Sequence, residues 1–393
     1  MARSARFRHA AAGVAAALVL LVAVHAGSEP LGNRLPWAKL ADAIQQELDA
    51  LRLFEADRRA STDFATLPDS ERAFGTNPSR IAAVPGKPFL VGLLRGDDAL
   101  VVLGDGLKEL QRLPTPPLPT GLSLTEDGIL VSGVGSGRLA WFAWDGDELK
   151  PAGTWRTAQP AAIRDVAVDH GGSRVFAADE LGARLLVLDF HAGLEGLELA
   201  DLQEIPLPPG PASVRRTPNY LAVSSLTGHT VTVFHLPGES RPDTARSLQL
   251  RYDGPIWSMD AAEAGGVLRL ALGGAEDHPL DRTNGFFGNI DSYLYVVDVA
   301  PADRRLRARE QTRENLSALG VVTPKTVVLN WSGHGATVHT AGYGSETMLR
   351  LSWGDTLNAP AVDATPVPPG STDLLYLPRQ GVLLANPLLD AWI

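Results

Sequence analysis

The chain has 393 residues, no cysteine, and a formal net charge of −10 at pH 7. The absence of cysteine excludes disulfides, a covalently attached c-type haem, and every cysteine-ligated zinc or iron–sulfur site. The acidic balance argues against general nucleic-acid binding, because that function requires a basic face.

The first 26 residues have the layout of a secretory signal peptide. Three arginines precede an apolar run over residues 10–24, and Val24-His25-Ala26 is a small-x-small cleavage pattern. The alternative is an uncleaved membrane anchor, but the run has about 15 residues whereas a bilayer needs roughly 20. We therefore predict cleavage after Ala26, and a periplasmic or secreted protein with no stable membrane span.

Residues 27–77 are predicted to form a helical lead-in and a connector. Between Pro36 and Arg59 aliphatic residues recur at spacings of three and four with polar residues between them, which predicts an amphipathic helix of about 20 residues. Two interpretations remain for this helix: it packs on the following domain, or it is a spacer or dimerisation segment. Residues 60–77 are polar and irregular, as a connector would be.

A repeat begins at Pro78. Seven times a proline is followed three to five residues later by an aliphatic residue that opens a short apolar strand. These prolines are Pro78, Pro119, Pro160, Pro211, Pro255, Pro324 and Pro369, at intervals of 41 to 69 residues. A period of roughly 40 to 50 residues with several short strands in each unit is typical of a β-propeller.

The repeat predicts an all-β fold, a seven-bladed β-propeller of four-stranded antiparallel blades over residues 78–393, preceded by the N-terminal amphipathic helix. The innermost strands should start near residues 81, 122, 163, 214, 258, 327 and 374. The last blade shows three strands, and such an open edge exposes unpaired backbone groups. Either a segment before Pro78 adds the fourth strand, or the sequence is a fragment of a longer protein.

The blades share a pattern, seen in Val175–Ala178 and Leu185–Asp189 and again in Leu221–Ser224. It resembles the YVTN-type repeats of the lactonase-like superfamily, and the resemblance covers the chain from Pro78 to the C-terminus. It implies a lactonase-like hydrolase as one function. More distantly, the export signal, helical lead-in and propeller resemble the propeller halves of periplasmic propeller–cytochrome c fusions, although this chain has no haem-attachment motif. That resemblance implies a periplasmic redox system with a cytochrome as partner.

The residues that follow the seven prolines should meet at one end of the central channel, because loops that begin innermost strands all open on one face. The candidate ligand-binding residues there are Arg80, Arg164, Arg215, Trp257 and Lys325, with Arg282 from a long loop of blade five. Convergent cations bind carboxylate or phosphate groups well, so we predict a small anionic ligand or a periplasmic protein as partner. The alternative is ordinary ion pairing between blades, with Asp165, Asp260 and Asp373.

The longest interval of the repeat places a loop, Gly273–Asp291, between the second and third strands of blade five, and such loops are usually functional. Its oxygen ligands could hold Ca²⁺. His278 with carboxylates could hold another divalent metal, with His334 or His339 as further ligands. His278 and Asp277 could instead form a catalytic acid/base pair. The metal candidates are Asp277, His278, Asp281 and Asp291. Plain turn formation is the structural alternative.

These patterns favour an exported binding module in a periplasmic redox system. It would bind a small anion or a protein partner at the end of the central channel where the candidate cations meet. The first alternative is a lactonase-like or metal-assisted hydrolase that uses the blade-five loop. The second is a structural or adhesion propeller. No cofactor is required by the sequence; Ca²⁺ or another divalent metal is the candidate, and covalent haem is excluded.

Overall fold

The computed structural model describes residues 76–169, 171–236, 241–278, 289–355, 359–377, 381–387, 389, 391 and 392. The predicted signal peptide and the predicted lead-in helix lie outside these residues. Within the part of the chain that is described, no helix is long and apolar enough to cross a membrane.

The described chain is built almost wholly of antiparallel strands, which we number β1 to β27 in chain order. Blades 1 to 4 contain β1 Pro78–Ala83, β2 Leu90–Leu94, β3 Ala99–Leu103, β4 Glu109–Pro114, β5 Pro119–Leu124, β6 Gly128–Gly133, β7 Arg138–Asp145, β8 Glu148–Arg156, β9 Ile163–Val168, β10 Arg174–Asp179, β11 Arg184–Gly193, β12 Gly196–Pro206, β13 Pro211–Thr217, β14 Tyr220–Ser225, β15 Thr230–His235 and β16 Asp243–Arg251.

Blades 5 to 7 follow the same order. They contain β17 Ile256–Ala264, β18 Val267–His278, β19 Asn289–Ala302, β20 Arg305–Asn315, β21 Pro324–Asn330, β22 Ala336–Gly342, β23 Thr347–Trp353, β24 Ala361–Pro366, β25 Asp373–Leu377, β26 Gly381–Asn386 and β27 Ala391–Trp392. Two short 3-10 helices, Asp105–Leu107 and Ser317–Leu319, lie between strands.

The predicted seven-bladed propeller is confirmed. Six sheets have four strands, each strand hydrogen-bonded to the next in sequence, and the seventh sheet has the three described strands β25, β26 and β27. Every innermost strand begins within three residues of its predicted start. Blade 7 contacts blade 1: the ring of Trp392 lies so close to Gly92 that a Cβ atom there would be 2.5 Å from it.

The core lies between neighbouring blades rather than inside one. Blades 1 and 2 share a cluster that includes Val91, Leu100, Ile129 and Phe142, all buried. Strands covered on both faces read as continuous apolar runs, and β3 is buried at all five positions. The repeat therefore stabilises the ring by stacking one blade on the next.

A β-bulge recurs at the start of the innermost strands. In blades 1 to 6 the pairing register with the second strand shifts by one residue near the beginning of the strand. The skipped residues are Ser79, Thr120, Arg164, Ala212, Trp257 and Lys325. A bulge re-aims the side chain of the extra residue, and all six of these residues line one cavity.

Candidate functional site

The six bulge residues surround a cavity of about 330 Å³ at the end of the channel where the innermost strands begin. We call this end the funnel face and the cavity the funnel cavity. Five of the six predicted ligand-binding residues line it: Arg80, Arg164, Arg215, Trp257 and Lys325. The sixth, Arg282, lies outside the described residues.

Five cationic residues line the funnel cavity, and three of them, Arg95, Arg164 and Lys325, lie outside the inter-blade ion pairs of Arg80 and Arg215. The pKa of Lys325 is lowered, first by burial and then by the positive charges of Arg164 and Arg95. Arg164 pairs with Glu180 at 2.9 Å between Nη1 and Oε1. Among the described residues no carboxylate lies within ion-pair distance of Arg95 or Lys325. Arg95 and Lys325 are therefore the two cations of the cavity without an ion-pair partner among the described carboxylates.

Arg80 and Arg215 lie deeper and are ion-paired. Both contact Asp165, whose side chain is 1% exposed, at 2.9 Å from Arg80 and 3.0 Å from Arg215. Arg80 is also 3.8 Å from Asp373, and Arg215 is 3.8 Å from Asp260. We call these five residues the channel network. For Arg80 and Arg215, this is the inter-blade pairing that the sequence left open as an alternative.

The three aspartates of the channel network also join blades through backbone hydrogen bonds. Each carboxylate accepts an N–H from the innermost strand of another blade, at 2.8 to 2.9 Å. The pairs are Asp373 with Ile81, Asp165 with Val214, and Asp260 with Leu329. A hydrogen bond to a charged group stabilises by about 1.5–3 kcal/mol, so these aspartates have a structural role around the ring.

Part of the channel network lies between two cavities of the channel. Arg80, Arg215 and Asp373 line both the funnel cavity and a second cavity of about 470 Å³ further along the channel. Arg216 faces this second cavity. The two cavities therefore share these charged side chains as part of their walls.

The channel network predicts a specific dependence of stability on pH. Burial raises the pKa of both Asp260 and Asp373, since the surrounding protein removes most of their hydration. Both carboxyls therefore hold their protons more tightly in the folded state than in the unfolded state. The stabilisation from this excess proton binding is fully present below the ordinary carboxyl pKa and is lost as pH rises through the raised values.

We expect the free energy of unfolding of the unmodified protein to fall, relative to an Asp260→Asn/Asp373→Asn variant, as pH rises from about 4 to about 7. Asparagine keeps an oxygen that accepts the same backbone N–H but does not titrate. Urea unfolding at each pH measures the difference. The exposed-site variant Asp363→Asn serves as control and should follow the unmodified protein. If the free energy of unfolding changes with pH in the same way in the double variant and in the unmodified protein, the raised pKa values are contradicted.

The predicted blade-five loop, Gly273–Asp291, is strand at both ends: β18 continues to His278 and β19 begins at Asn289, so the hairpin extends beyond the start of β17. His278 Nε2 lies 3.7 Å from Asp291 Oδ2, whereas Asp277 is exposed. The imidazole therefore contacts Asp291 rather than its predicted acid/base partner, Asp277. Asp281 lies outside the described residues. Among the residues that the structure describes, no group of three or more metal-ligating side chains is present.

His334 and His339 do not lie near His278, so their predicted part in a shared metal site is wrong. His334 is in the β21–β22 turn, and Gly333 beside it contacts Ala264, where β17 ends. His278 lies beyond the other end of β17, ~25 Å away at about 3.3 Å per strand residue. His339 is buried and stacks on Tyr376 at 4.6 Å. A turn between first and second strands faces away from the funnel.

Three residues around the funnel cavity were missed by the sequence reasoning. Arg95, Glu180 and Tyr343 each follow the second strand of a blade, where the chain reaches the funnel face. The ring centroid of Tyr343 lies 3.8 Å from Lys325 Nζ. The sequence analysis considered such a loop only in blade five, because of its length, and the corresponding loops of the other blades would have supplied all three residues.

Comparison with known proteins establishes the fold. No family model matches the chain, and no curated protein matches it. Among solved structures, hydrazine synthase from Kuenenia stuttgartiensis is similar at a TM-score of 0.58, with 11% identity over 81% of this chain and 95% of the other. The predicted resemblance to lactonase-like propellers is confirmed for the fold by two further structures.

One is a Bacteroides uniformis protein assigned as a 6-phosphogluconolactonase, with a TM-score of 0.59 and 13% identity over 74% of this chain and 86% of that one. The other is the periplasmic gluconolactonase of Pseudomonas aeruginosa, with a TM-score of 0.54 and 17% identity over 74% of this chain and 89% of that one. At these identities the likeness concerns architecture, which hosts many functions.

Proposed function

We propose that the protein is an exported binding module that takes a small anionic ligand, with a carboxylate or phosphate group, in the funnel cavity. The observation that carries the proposal is that two of the cations lining the cavity, Arg95 and Lys325, have no ion-pair partner among the described carboxylates. The other three are paired, Arg164 with Glu180 and both Arg80 and Arg215 with aspartates. Like charges held together are unfavourable unless an anion offsets them. A bound carboxylate or phosphate supplies that offset.

Trp257 gives the ligand a second kind of contact. It is the bulge residue of blade 5 and lines the same cavity as the cations. An indole ring presents a large apolar face, which suits the carbon skeleton of an organic acid. The ligand that this cavity fits best therefore has an anionic end and a less polar body.

An extracytoplasmic location is part of the proposal. It is supported by the signal-peptide layout of residues 1–26 and by the fold likeness to a periplasmic gluconolactonase. A redox system with a cytochrome partner stays a prediction from the sequence. The hydrolase alternative on the blade-five loop also stays a prediction from the sequence.

Calorimetric titration with inorganic phosphate and with gluconate tests the proposal. We expect Arg164→Gln and Lys325→Gln each to weaken binding about tenfold or more, because a hydrogen bond to a charged group contributes about 1.5–3 kcal/mol. Added salt should weaken binding as well. Arg350→Gln, a matched change at an exposed position on β23, should leave affinity unchanged. Equal affinity in all three variants would overturn the proposal.

A further inference from the structure

The second cavity of the channel has no part in the proposed function. Its volume is about 470 Å³, and residues from the innermost strands of all seven blades line it. Ala83 and Pro85, beside the β1–β2 turn, line it as well and are exposed. Because turns between first and second strands face away from the funnel, this cavity is reached from the end of the propeller opposite the funnel face.

Arg216 is the unpaired cation of the second cavity. Of the three described arginines that line it, the other two belong to the channel network and are ion-paired there. Asp169 and Glu263 attract Arg216 only from beyond ion-pair distance. Its Nε and Nη1 atoms are buried and have no hydrogen-bond partner among the described residues.

A buried guanidinium group without a partner is unfavourable. Its N–H groups only donate hydrogen bonds, and it keeps its positive charge in proteins. Burial of such donors costs free energy unless acceptors replace the water that they lose. A carboxylate offers the best-matched acceptors, because its oxygens form short, charge-assisted hydrogen bonds with a guanidinium group. The state of Arg216 therefore points to a carboxylate bound beside it.

The walls of the second cavity are largely aliphatic. Ala82, Leu124, Val168 and Val328 line it from four different blades, and each is only half-buried. Apolar surface that meets water becomes more stable when a hydrocarbon chain covers it. The ligand that complements this cavity therefore has one anionic end and an apolar chain.

We propose that the second cavity binds an aliphatic monocarboxylate, with the carboxylate on the guanidinium group of Arg216 and the hydrocarbon chain against the aliphatic walls. The site is distinct from the anion site of the funnel cavity and does not depend on it. The cavity volume equals that of roughly fifteen water molecules at about 30 Å³ each, which leaves room for an acid such as hexanoate.

Calorimetric titration with acetate, butyrate and hexanoate tests the inference on the full chain. We expect the affinity to rise about fourfold for each added CH₂ group, because each one buries further apolar surface. Arg216→Gln should weaken hexanoate binding about tenfold or more, since the charge-assisted hydrogen bonds are lost. Arg251→Gln, a matched change at an exposed arginine of the same blade, should leave the affinity unchanged.

Variants of the funnel cavity separate this site from the proposed function. Arg164→Gln and Lys325→Gln should weaken phosphate binding and leave hexanoate binding unchanged, whereas Arg216→Gln should do the reverse. If hexanoate affinity depends on Lys325 and not on Arg216, the acid binds in the funnel cavity and the inference is wrong. If hexanoate does not bind the unmodified protein, the inference is wrong whether or not phosphate binds.

Thermal unfolding of the unmodified protein gives a second measurement that requires no variant to fold. Hexanoate should raise the unfolding midpoint more than acetate does at equal concentration and ionic strength, because a ligand that binds only the folded state stabilises it according to its affinity. Equal shifts with the two acids would overturn the inference, since the aliphatic walls would then contribute nothing to binding.

Discussion

Replacement of Asp165 by asparagine is expected to lower the free energy of unfolding by about 3–5 kcal/mol, the range for removing one partner of a buried ion pair. Asp165 is 1% exposed and contacts both arginines of the channel network at 2.9 and 3.0 Å. Asparagine can still accept the N–H of Val214 through its one oxygen, but its amide nitrogen then replaces the oxygen that faces Arg80, so both the charge and one acceptor are lost. Arg80 and Arg215 then keep only their more distant charged partners, Asp373 and Asp260, each at 3.8 Å.

Urea unfolding followed by tryptophan fluorescence measures this loss. The matched control is Asp363→Asn, which removes the same charge from an ion pair with Arg350 at 3.9 Å where Asp363 is 70% exposed. Exposed pairs of this kind contribute about 0–1 kcal/mol, so the control should change little. If both variants lose the same stability, the channel network does not hold the ring together as described.

A methyl group at Gly121 is expected to destabilise the protein by about 3 kcal/mol, at the upper end of overpacking changes. Its Cβ would lie 2.1 Å from Ser132 Oγ and 2.9 Å from the Cα of Asp165 in the next blade. A hydroxyl can rotate or be removed, but the backbone of blade 3 can move only if the two blades separate. Gly121→Ala should therefore disturb the interface between blades 2 and 3.

Three variants distinguish the two clashes. Gly354→Ala is the control, since nothing lies within 4 Å of a Cβ there. The double variant Gly121→Ala/Ser132→Ala removes the hydroxyl but not the contact with the Asp165 backbone, so it should recover only part of the lost stability. Full recovery in thermal or urea unfolding would mean that the blades are not closely packed at this position.

The blades could be predicted because their signals are local. A proline has no backbone N–H to contribute to the ladder, so it suits the first residue of a strand, and Pro78, Pro119, Pro211 and Pro324 each begin an innermost strand. The predicted starts fell later in these blades because the first aliphatic residue was taken as the beginning. The residues between the proline and the predicted start contain the bulge, and no turn-forming residue type marks its position in the sequence.

The same bulge explains why the site was predicted only in part. Lys325 directly follows its proline and is the bulged residue, whereas Arg80 comes one position later and is paired with the second strand. Both cations line the funnel cavity, but this difference of one residue accompanies a difference in pairing, since Arg80 joins the channel network whereas Lys325 has no described carboxylate partner. Sequence alone placed Arg80 and Lys325 together, since both follow a proline closely, and could not assign the direction of either side chain.

The side-chain contacts of the blade-five hairpin could be predicted only from the pairing of β18 with β19. Pairing sets Glu276 opposite Asp291 and His278 opposite Asn289, so His278 approaches Asp291 diagonally across the strands. The predicted partner, Asp277, is adjacent in sequence, and adjacent residues of a strand point to opposite faces. Had the strands been extended to the end of the hairpin, this alternation would have ruled out the pair.

The side chains that line both cavities of the channel also join the blades. Arg80 belongs to blade 1, Arg215 to blade 4 and Asp373 to blade 7, and their ion pairs reach Asp165 and Asp260 of two further blades. A ligand that enters the funnel cavity therefore meets the same charged groups that connect the ring.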